Sequence, residues 1–274
     1  MHHFAYRNGV LHCEDVSLEA VARELGTPAY VYSDATLRRH YQVLTEAFTG
    51  RDVLIAYAVK ANSNIGVLAT LGALGAGADT VSGGEMRRAI EAGIPANRIV
   101  FSGVAKTEAE MRLGLDLGIY QFNVESMPEL HRLSRIAQEM GKRAPIAFRV
   151  NPHVEAGGHA HISTGTPETK FGIAWHEADA FYDEASRLPN IDPVGVAVHI
   201  GSQIMRVEPL REAWEKVVTL ARRLRDRGFS ISRVDFGGGL GVPYKDGEDP
   251  DSPMLYARQA REVLGNHDVR LMLE

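Results

Sequence analysis

The fold is organised around one apolar stretch, Leu54-Ile55-Ala56-Tyr57-Ala58-Val59-Lys60-Ala61-Asn62. Its length and its aliphatic residues are typical of a strand that is buried on both faces. The stretch ends abruptly at Lys60, after which small and polar residues follow. This lysine either leaves the strand for solvent or is an amine at an apolar opening. In the second case desolvation disfavours the ammonium form and leaves a nucleophile that condenses with aldehydes.

From Ser33 onward, short apolar strands alternate with helical segments. We expect Asp34 to cap the first helix, which runs to about Thr49. Seven helical stretches then separate eight predicted strands, at 53–60, 78–82, 99–102, 121–125, 146–151, 195–201, 233–237 and 269–274. Such an α/β alternation builds either an open doubly wound sheet or a closed barrel. The strand count favours a (β/α)8 barrel of the TIM type.

The first 33 residues do not follow this alternation of strands and helices. They contain a strand candidate at 4–6, a turn at Asn8-Gly9, a helix candidate at 17–25 and a second strand candidate at 29–32. We therefore predict an N-terminal segment over residues 1–33 and a barrel domain over residues 34–274.

Each predicted barrel strand ends in a polar residue or a glycine. In a barrel of this type the functional groups stand at the C-terminal ends of the strands. A polar or glycine terminus on all eight strands predicts one shared site at that end. The candidate residues are Lys60, Asp79, Ser82, Ser102, Glu125, Arg149, Asn151, His199, Ser202, Gly237, Gly238, Gly239 and Glu274.

A glycine-rich run, Gly237-Gly238-Gly239-Leu240-Gly241, follows the seventh strand. Glycines at a strand exit let backbone N–H groups surround an anion such as phosphate. A tight turn would explain one glycine, and the spacing of a dinucleotide fingerprint is absent. A phosphate site late in the barrel and an amine on its first strand together favour pyridoxal 5'-phosphate as the cofactor.

Four further residues have roles that match this cofactor. Glu274 would hold a proton on the pyridine nitrogen and make the ring an electron sink. His199 would lie flat against the ring, or is a hydrogen-bonded core histidine. Arg149 would pair with Asp79 or with a cofactor oxygen, or is a solvated charge. Ser202 would donate to the phosphate.

Composition excludes several other classes. The net charge of −5 gives no basic surface for nucleic acid. The sequence contains no membrane-length apolar segment and no secretory leader, which predicts a cytoplasmic protein. The single cysteine, Cys13, excludes an internal disulfide. His153, His159 and His161 share a loop around Gly157-Gly158, but no cysteine or paired carboxylate completes a metal site. We therefore predict a mobile loop there and no metal.

These motifs closely resemble the diaminopimelate decarboxylases, whose fold is shared with ornithine and arginine decarboxylases and alanine racemase. The resemblance runs nearly from end to end. It is carried by Tyr57-Ala58-Val59-Lys60-Ala61-Asn62-Ser63-Asn64, Gly75-Ala76-Gly77-Ala78-Asp79, Ser82-Gly83-Gly84-Glu85, Asn123-Val124-Glu125-Ser126, Arg149-Val150-Asn151-Pro152, Ile162-Ser163-Thr164-Gly165, Lys170-Phe171-Gly172-Ile173, His199-Ile200-Gly201-Ser202-Gln203-Ile204 and Gly237-Gly238-Gly239-Leu240-Gly241-Val242-Pro243-Tyr244.

The resemblance implies that Lys60 binds the cofactor aldehyde, that His199 stacks on its ring and that Glu274 meets its pyridine nitrogen. It places Ser202 and Gly237 to Gly239 around the phosphate, with Asp79 and Arg149 in support. The implied reaction is the decarboxylation of meso-2,6-diaminopimelate to L-lysine and CO₂, the last step of lysine biosynthesis. The motifs at 162–165 and 170–172 separate this family from its ornithine-specific relatives. The rival interpretations are an ornithine- or arginine-type decarboxylase and a non-catalytic cofactor-binding relative.

The sequence departs from the family pattern in two places. The family continues beyond the equivalent of Glu274 with Pro-Gly-Arg and a β domain that contributes groups for the substrate. We therefore expect the sequence to be truncated, the segment 1–33 to join that β domain, and the fragment alone to be inactive. The complete protein is expected to be a homodimer with sites at the subunit boundary. Gly157-Gly158-His159 replaces a larger residue and a threonine before the histidine.

Overall fold

The N-terminal residues form a small antiparallel sheet with one helix. The computed structural model describes residues 2–154, 171–245 and 247–274. The chain begins with β1 (Phe4–Arg7), β2 (Val10–Cys13), β3 (Val16–Ser17) and α1 (Leu18–Leu25). The turn between β1 and β2 has positive φ at Asn8 and Gly9, as expected for an Asn-Gly turn. Ser17 caps α1, because its hydroxyl accepts a hydrogen bond from Ala20 N.

Two predictions about this region are wrong. Residues 29–32 form no strand, and the side chain of Tyr30 is 91% exposed. Their aromatic and β-branched residues favour strands only where a neighbouring strand supplies packing, and this segment has none. The helix that follows, α2 (Asp34–Ala47), is capped by Ser33, whose Oγ accepts from Thr36 N at 3.0 Å. Asp34 is instead the first helical residue and binds Arg38 at 2.6 Å.

Barrel strands and helices then alternate to residue 273. The strands are β4 (Val53–Ala58), β5 (Gly77–Thr80), β6 (Ile99–Phe101), β7 (Gln121–Val124), β8 (Ala144–Asn151), β9 (Ile173–Ala174), β10 (Ile191–Ala197), β11 (Arg233–Asp235) and β12 (Arg270–Leu273). The helices between them are α3 (Ile65–Ala73), α4 (Gly83–Glu91), α5 (Glu108–Leu117), α6 (Met127–Glu139), α7 (Ala178–Arg187), α8 (Glu208–Asp226) and α9 (Pro253–Leu264). Over the described ranges, all eight predicted strands and the seven helices between them are confirmed.

The strands close into a barrel of parallel pairs. Around the ring the order is β4, β5, β6, β7, β8, β10, β11 and β12, and β12 pairs with β4 through Met272 opposite Leu54. The two-residue β9 extends the sheet beside the end of β8. The prediction of a closed barrel over an open sheet is therefore correct. Parallel strands covered by helices are buried on both faces, which explains their nearly continuous apolar sequences.

An aromatic cluster supports the end of β11 from behind. The indole of Trp214, on α8, is fully buried and stacks on Phe236 with ring centroids 5.1 Å apart. Its Nε1 donates to the carbonyl of Phe236 at 3.1 Å. Tyr256, on α9, meets the same indole edge-on at 4.9 Å. The backbone just before the glycine run is thus held by packing and by a hydrogen bond.

Within the described residues, the model contains no helix with the length and apolar character needed to span a bilayer.

Candidate active site

A cavity of about 320 Å³ opens at the C-terminal end of the barrel strands. The structure brings eight of the predicted residues together in its wall. They are Lys60, Asp79, Ser102, Arg149, His199, Ser202, Gly237 and Glu274. Polar groups from six different strands and their exits thus share one space, as the pattern of strand ends predicted.

Other predicted residues lie beside the cavity or away from it. Gly238 and Gly239 continue the turn that Gly237 begins. Ser82 is the N-cap of α4 and accepts from Glu85 N at 3.2 Å, so its role is structural. Glu125 is buried behind the wall and accepts from the N–H groups of Gly103 and Gly172 at 3.1 and 2.9 Å. Asn151 is also buried, and its Oδ1 accepts from His153 N.

The carboxylate of Glu274 connects two of the candidate groups. Its Oε1 binds the Nζ of Lys60, and its Oε2 lies 3.0 Å from Nδ1 of His199. Burial acts to raise the pKa of Glu274, but the contacts with His199 and Lys60 outweigh it and hold that pKa well below the ordinary range. Glu274 is therefore a carboxylate at neutral pH.

The charge state predicted for Lys60 is wrong for this arrangement. Desolvation lowers the pKa of Lys60, as expected, but the carboxylates of Glu274 and Asp79 reverse the shift and raise it above its ordinary value. Asp79 Oδ2 lies 3.8 Å from Nζ. The side chain of Lys60 is also 48% exposed. Lys60 is therefore an ammonium group at neutral pH, and it must lose a proton before it can act as a nucleophile.

The predicted pairing of Arg149 with Asp79 is also wrong. The Nη1 of Arg149 lies 3.6 Å from Glu125 Oε1, and its Nη2 donates to the carbonyl of His199 at 3.2 Å. Its guanidinium lies over the ring of Phe171, 5.0 Å from the centroid. Arg149 and Asp79 are on β8 and β5, with two strands between them in the ring, and the acidic residue nearer to Arg149 is Glu125.

Two polar residues of the cavity wall were not predicted as site residues from the sequence. Asn123 and Asp235 are interior polar residues on β7 and β11, each less than 5% exposed. Burial raises the pKa of Asp235 to about 7, although hydrogen bonds from Gly237 and Asn123 oppose the shift. Burial and the nearby Glu274 also raise the pKa of Asp79 well above its ordinary value. A polar residue directly between two apolar residues of a short buried segment was the signal that would have identified Asn123 and Asp235.

The glycine turn requires glycine for steric reasons. Gly237 has φ of +68°, and a Cβ on it would lie 3.1 Å from both Cα and Cβ of His199. A Cβ on Gly238 would lie 2.6 Å from the carbonyl oxygen of Glu274. Any larger residue would strain this backbone or displace the two side chains. The turn therefore stays close against His199 and Glu274, which a simple surface turn would not need.

Part of the predicted site lies outside the described residues. This holds for Gly157, Gly158, His159, His161, the motif at 162–165 and Lys170. His153 is described and has a φ of +53°. In the described part of the chain, no three His, Cys, Asp or Glu side chains are grouped to hold a metal ion.

The fold and the cavity together define a class of protein. It is a (β/α)8 barrel with an amine on the first strand, a glycine turn on the seventh, and a histidine and a carboxylate between them. This arrangement fits a small cofactor that carries an aldehyde and a phosphate.

The family model described as "Pyridoxal-dependent decarboxylase, pyridoxal binding domain" matches residues 34–274. The chain belongs to this family, which confirms the predicted fold and the predicted cofactor, pyridoxal 5'-phosphate. A curated relative from Pseudomonas fluorescens, named diaminopimelate decarboxylase, is 48% identical over 99% of this chain and 65% of its own length. The resemblance identified from the motifs is confirmed.

Two solved structures have the same fold. Diaminopimelate decarboxylase from Helicobacter pylori, complexed with L-lysine, superposes with a TM-score of 0.91 at 40% identity, over 94% of this chain and 65% of that chain. Diaminopimelate decarboxylase from M. jannaschii superposes with a TM-score of 0.92 at 34% identity, over 99% of this chain and 66% of that chain. The chain thus spans about 65% of the length of the relatives it matches.

Proposed function

We propose that this chain is part of a diaminopimelate decarboxylase, which converts meso-2,6-diaminopimelate to L-lysine and CO₂. The observation that carries the proposal is the position of Lys60 and the glycine turn on one cavity, in a chain 48% identical to a relative of that name. The solved relative that holds L-lysine supports the choice of substrate.

The residues of the cavity fit the cofactor. The glycine turn lines the cavity at Gly237 and packs so closely against His199 and Glu274 that no Cβ fits, so it presents bare backbone to a phosphate. Ser202 is in the same wall and would donate to that phosphate, and Gly239 would complete the turn around it. Glu274, as a carboxylate, has the charge needed to keep a proton on a ring nitrogen. When bound, the cofactor supplies an electron sink for the charge that loss of CO₂ leaves behind.

The residues of the cavity would have the following roles. Lys60 would hold the cofactor through its Nζ and, once the substrate amine replaces it, would remain in the cavity as a base or acid. His199, partly buried in the wall, would pack on the ring and hold Glu274 in place through Nδ1. Asp79 would stabilise the ammonium form of Lys60. Arg149 would brace the wall through Glu125 and the carbonyl of His199.

We also propose the organisation predicted from the sequence, with residues 1–33 as a segment apart from the barrel domain at 34–274. The extent of the family match, which begins at residue 34, supports this division. A homodimer with sites at the subunit boundary and a cytoplasmic location are further parts of the proposal. The homodimer rests on the resemblance, and gel filtration with light scattering would test it.

Turnover of three amino acids tests the proposed substrate. The full-length protein, extended through the β domain that the resemblance implies, is incubated with pyridoxal 5'-phosphate and with diaminopimelate, ornithine or arginine, and released CO₂ and the amine product are measured. We expect the highest kcat/KM with diaminopimelate. A higher value with ornithine or arginine would replace the proposed substrate, and cofactor binding without turnover of any of the three would indicate a non-catalytic relative.

Borohydride reduction tests the role of Lys60. The reagent fixes the cofactor to the lysine that binds it, and we expect peptide mapping to find the label on Lys60. The buried Lys106, which is 4% exposed and bound to Glu129, serves as an internal control that should stay unlabelled. A label on Lys106 or on Lys170 in place of Lys60 would overturn the assignment.

The rate of cofactor capture should rise with pH. Only neutral Lys60 attacks an aldehyde, and its pKa is raised above 10.5 by Glu274 and Asp79. Between pH 7 and pH 9 the neutral fraction, and with it the second-order rate of capture, should increase about tenfold per pH unit. Glu274→Gln removes one carboxylate, so capture at a given pH should become faster. A rate that does not change over this pH range would contradict the ammonium state of Lys60.

A further inference from the structure

A buried chain of hydrogen bonds crosses the floor of the cavity and joins its two ends. Ser102 Oγ donates to Asp79 Oδ1 at 2.5 Å, and Asn123 Nδ2 donates to Ser102 Oγ at 3.2 Å. The same Nδ2 also donates to Asp235 Oδ2 at 3.1 Å. These four side chains are each at most 8% exposed. One amide group thus uses both of its N–H protons to reach two carboxyl groups on opposite sides of the barrel.

Each carboxyl group in turn fixes a different part of the site. Asp79 lies 3.8 Å from the Nζ of Lys60. Asp235 Oδ1 accepts from the N–H of Gly237 at 2.8 Å, and the carbonyl of Gly237 accepts from the N–H of Glu274 at 2.9 Å. Asp235 therefore holds the first residue of the glycine turn, and through it the backbone of Glu274.

The orientation of the central amide is fixed by its neighbours. Gln121 Nε2 donates to Asn123 Oδ1 at 2.8 Å, so the oxygen of Asn123 already has a donor. With that oxygen facing Gln121, the amide nitrogen faces Ser102 Oγ and Asp235 Oδ2.

We propose that Asn123 is a positioning residue, which holds Asp79 beside Lys60 and Asp235 beneath the glycine turn at the same time. The inference rests on the proposed function, because it takes Lys60 as the residue that binds the cofactor and the glycine turn as the phosphate site. Asn123 has no role in the proposed mechanism. Its contribution is geometric, because a single rigid amide sets two groups that the chemistry uses at once.

Two measurements report separately on the two ends of this hydrogen-bond network, the Asp79 end and the Asp235 end. The first is the ratio of the Kd of pyridoxal to the Kd of pyridoxal 5'-phosphate, which measures what the glycine turn gains from the phosphate. Partial unfolding would weaken the binding of both ligands equally and would leave the ratio of the two Kd values unchanged. The second is the pH profile of pyridoxal capture by Lys60, which does not involve a phosphate. The charged groups that face Lys60 are Glu274, Asp79 and Arg149, and those that face Asp79 are Glu274, Lys60 and Asp235.

The test uses Asn123→Asp, which keeps the shape of the side chain and removes its N–H donors. We expect the phosphate ratio to fall about tenfold, because the hydrogen bond that holds Asp235 is lost. We also expect faster pyridoxal capture at a fixed pH, by about threefold, because the new carboxyl group at position 123 competes with Asp79 for the hydroxyl proton of Ser102, so that Asp79 holds a proton more readily and raises the pKa of Lys60 less. Asn190→Asp is the matched control. Asn190 donates to the carbonyl of Lys142 outside the cavity, and its replacement should move neither measurement.

Two single-branch variants keep the proposal testable if Asn123→Asp does not fold. Ser102→Ala interrupts only the branch to Asp79 and should move only the pH profile. Asp235→Asn still accepts from Gly237 but faces Asn123 with a second donor, and it should move only the phosphate ratio. The proposal would be overturned if Asn123→Asp changed only one of the two measurements, or neither. It would also be overturned if each single-branch variant changed both. A wild-type protein that binds no pyridoxal 5'-phosphate would instead contradict the proposed function.

Discussion

Lys60→Met in the full-length protein is expected to lower kcat for diaminopimelate decarboxylation by about 10³-fold or more, as is usual when a positioned acid–base group or nucleophile is lost. Methionine keeps an unbranched stem of similar length and removes the amine. The variant should give no covalent adduct with borohydride, and its affinity for pyridoxal 5'-phosphate should fall while the phosphate still finds the glycine turn. Steady-state kinetics and cofactor titration on the same preparation would check both effects.

Lys216→Met is the matched control for this prediction. Lys216 pairs with Glu212 at 2.9 Å on the exposed face of α8 and also donates to the carbonyl of Pro152. Its loss changes the charge by the same amount and leaves the cavity intact, so kcat should stay within about twofold because surface ion pairs contribute little. Lys60→Met with near wild-type turnover, or a new borohydride adduct elsewhere, would mean that another lysine carries the cofactor.

Lys106→Met is expected to destabilise the protein by about 3–5 kcal/mol, the usual cost of removing one partner from a buried ion pair. The Nζ of Lys106 donates three hydrogen bonds, to the carbonyls of Gly103 and Asn123 and to Glu129 Oε1, at 2.6, 2.7 and 2.7 Å. Methionine would leave Glu129 charged and buried without a cation. Thermal unfolding should show a midpoint lower by roughly 10 °C.

The matched control and a double variant identify the cause of that loss. Lys142→Met removes an exposed pair with Asp116 at 3.1 Å and should cost less than about 1 kcal/mol. Burial already raises the pKa of Glu129, so an uncharged replacement is tolerated better than the isolated carboxylate. Lys106→Met combined with Glu129→Gln should therefore recover much of the lost stability. A double variant as unstable as the sum of its parts would show that packing around the methyl group causes the loss.

The sequence was sufficient for the architecture because strands buried on both faces have few polar residues. Where such a run ended in Lys60, in Arg149 or at Gly237, the end of the strand and the wall of the cavity were predicted together. The exact residues at which the predicted strands end were less accurate. The strand predicted at 53–60 ends at Ala58, and a short 3-10 helix at Val59–Ala61 carries Lys60.

What the sequence did not reveal depends on distances across the barrel. The partner of Arg149 is Glu125, because β7 lies between β5 and β8 on that side of the ring, and no spacing along the chain encodes this order. The protonation of Lys60 depends on two carboxylates, from β5 and from the end of β12, which meet only when the barrel closes. Asn123 and Asp235 were missed for a related reason. Each lies in a short strand that has a second polar residue, Gln121 or Arg233, and its inward direction follows only from the barrel's register.

The packing of Trp214 behind the glycine turn gives the protein a spectroscopic probe. The chain has two tryptophans, Trp175 and Trp214. Trp214 is buried and bound to the carbonyl of Phe236, one residue before Gly237, whereas Trp175 is only partly buried. In a Trp175→Phe background, the emission of the remaining indole would report on the turn alone. Ligand arrival at the turn could then be followed in real time by fluorescence, with no label attached.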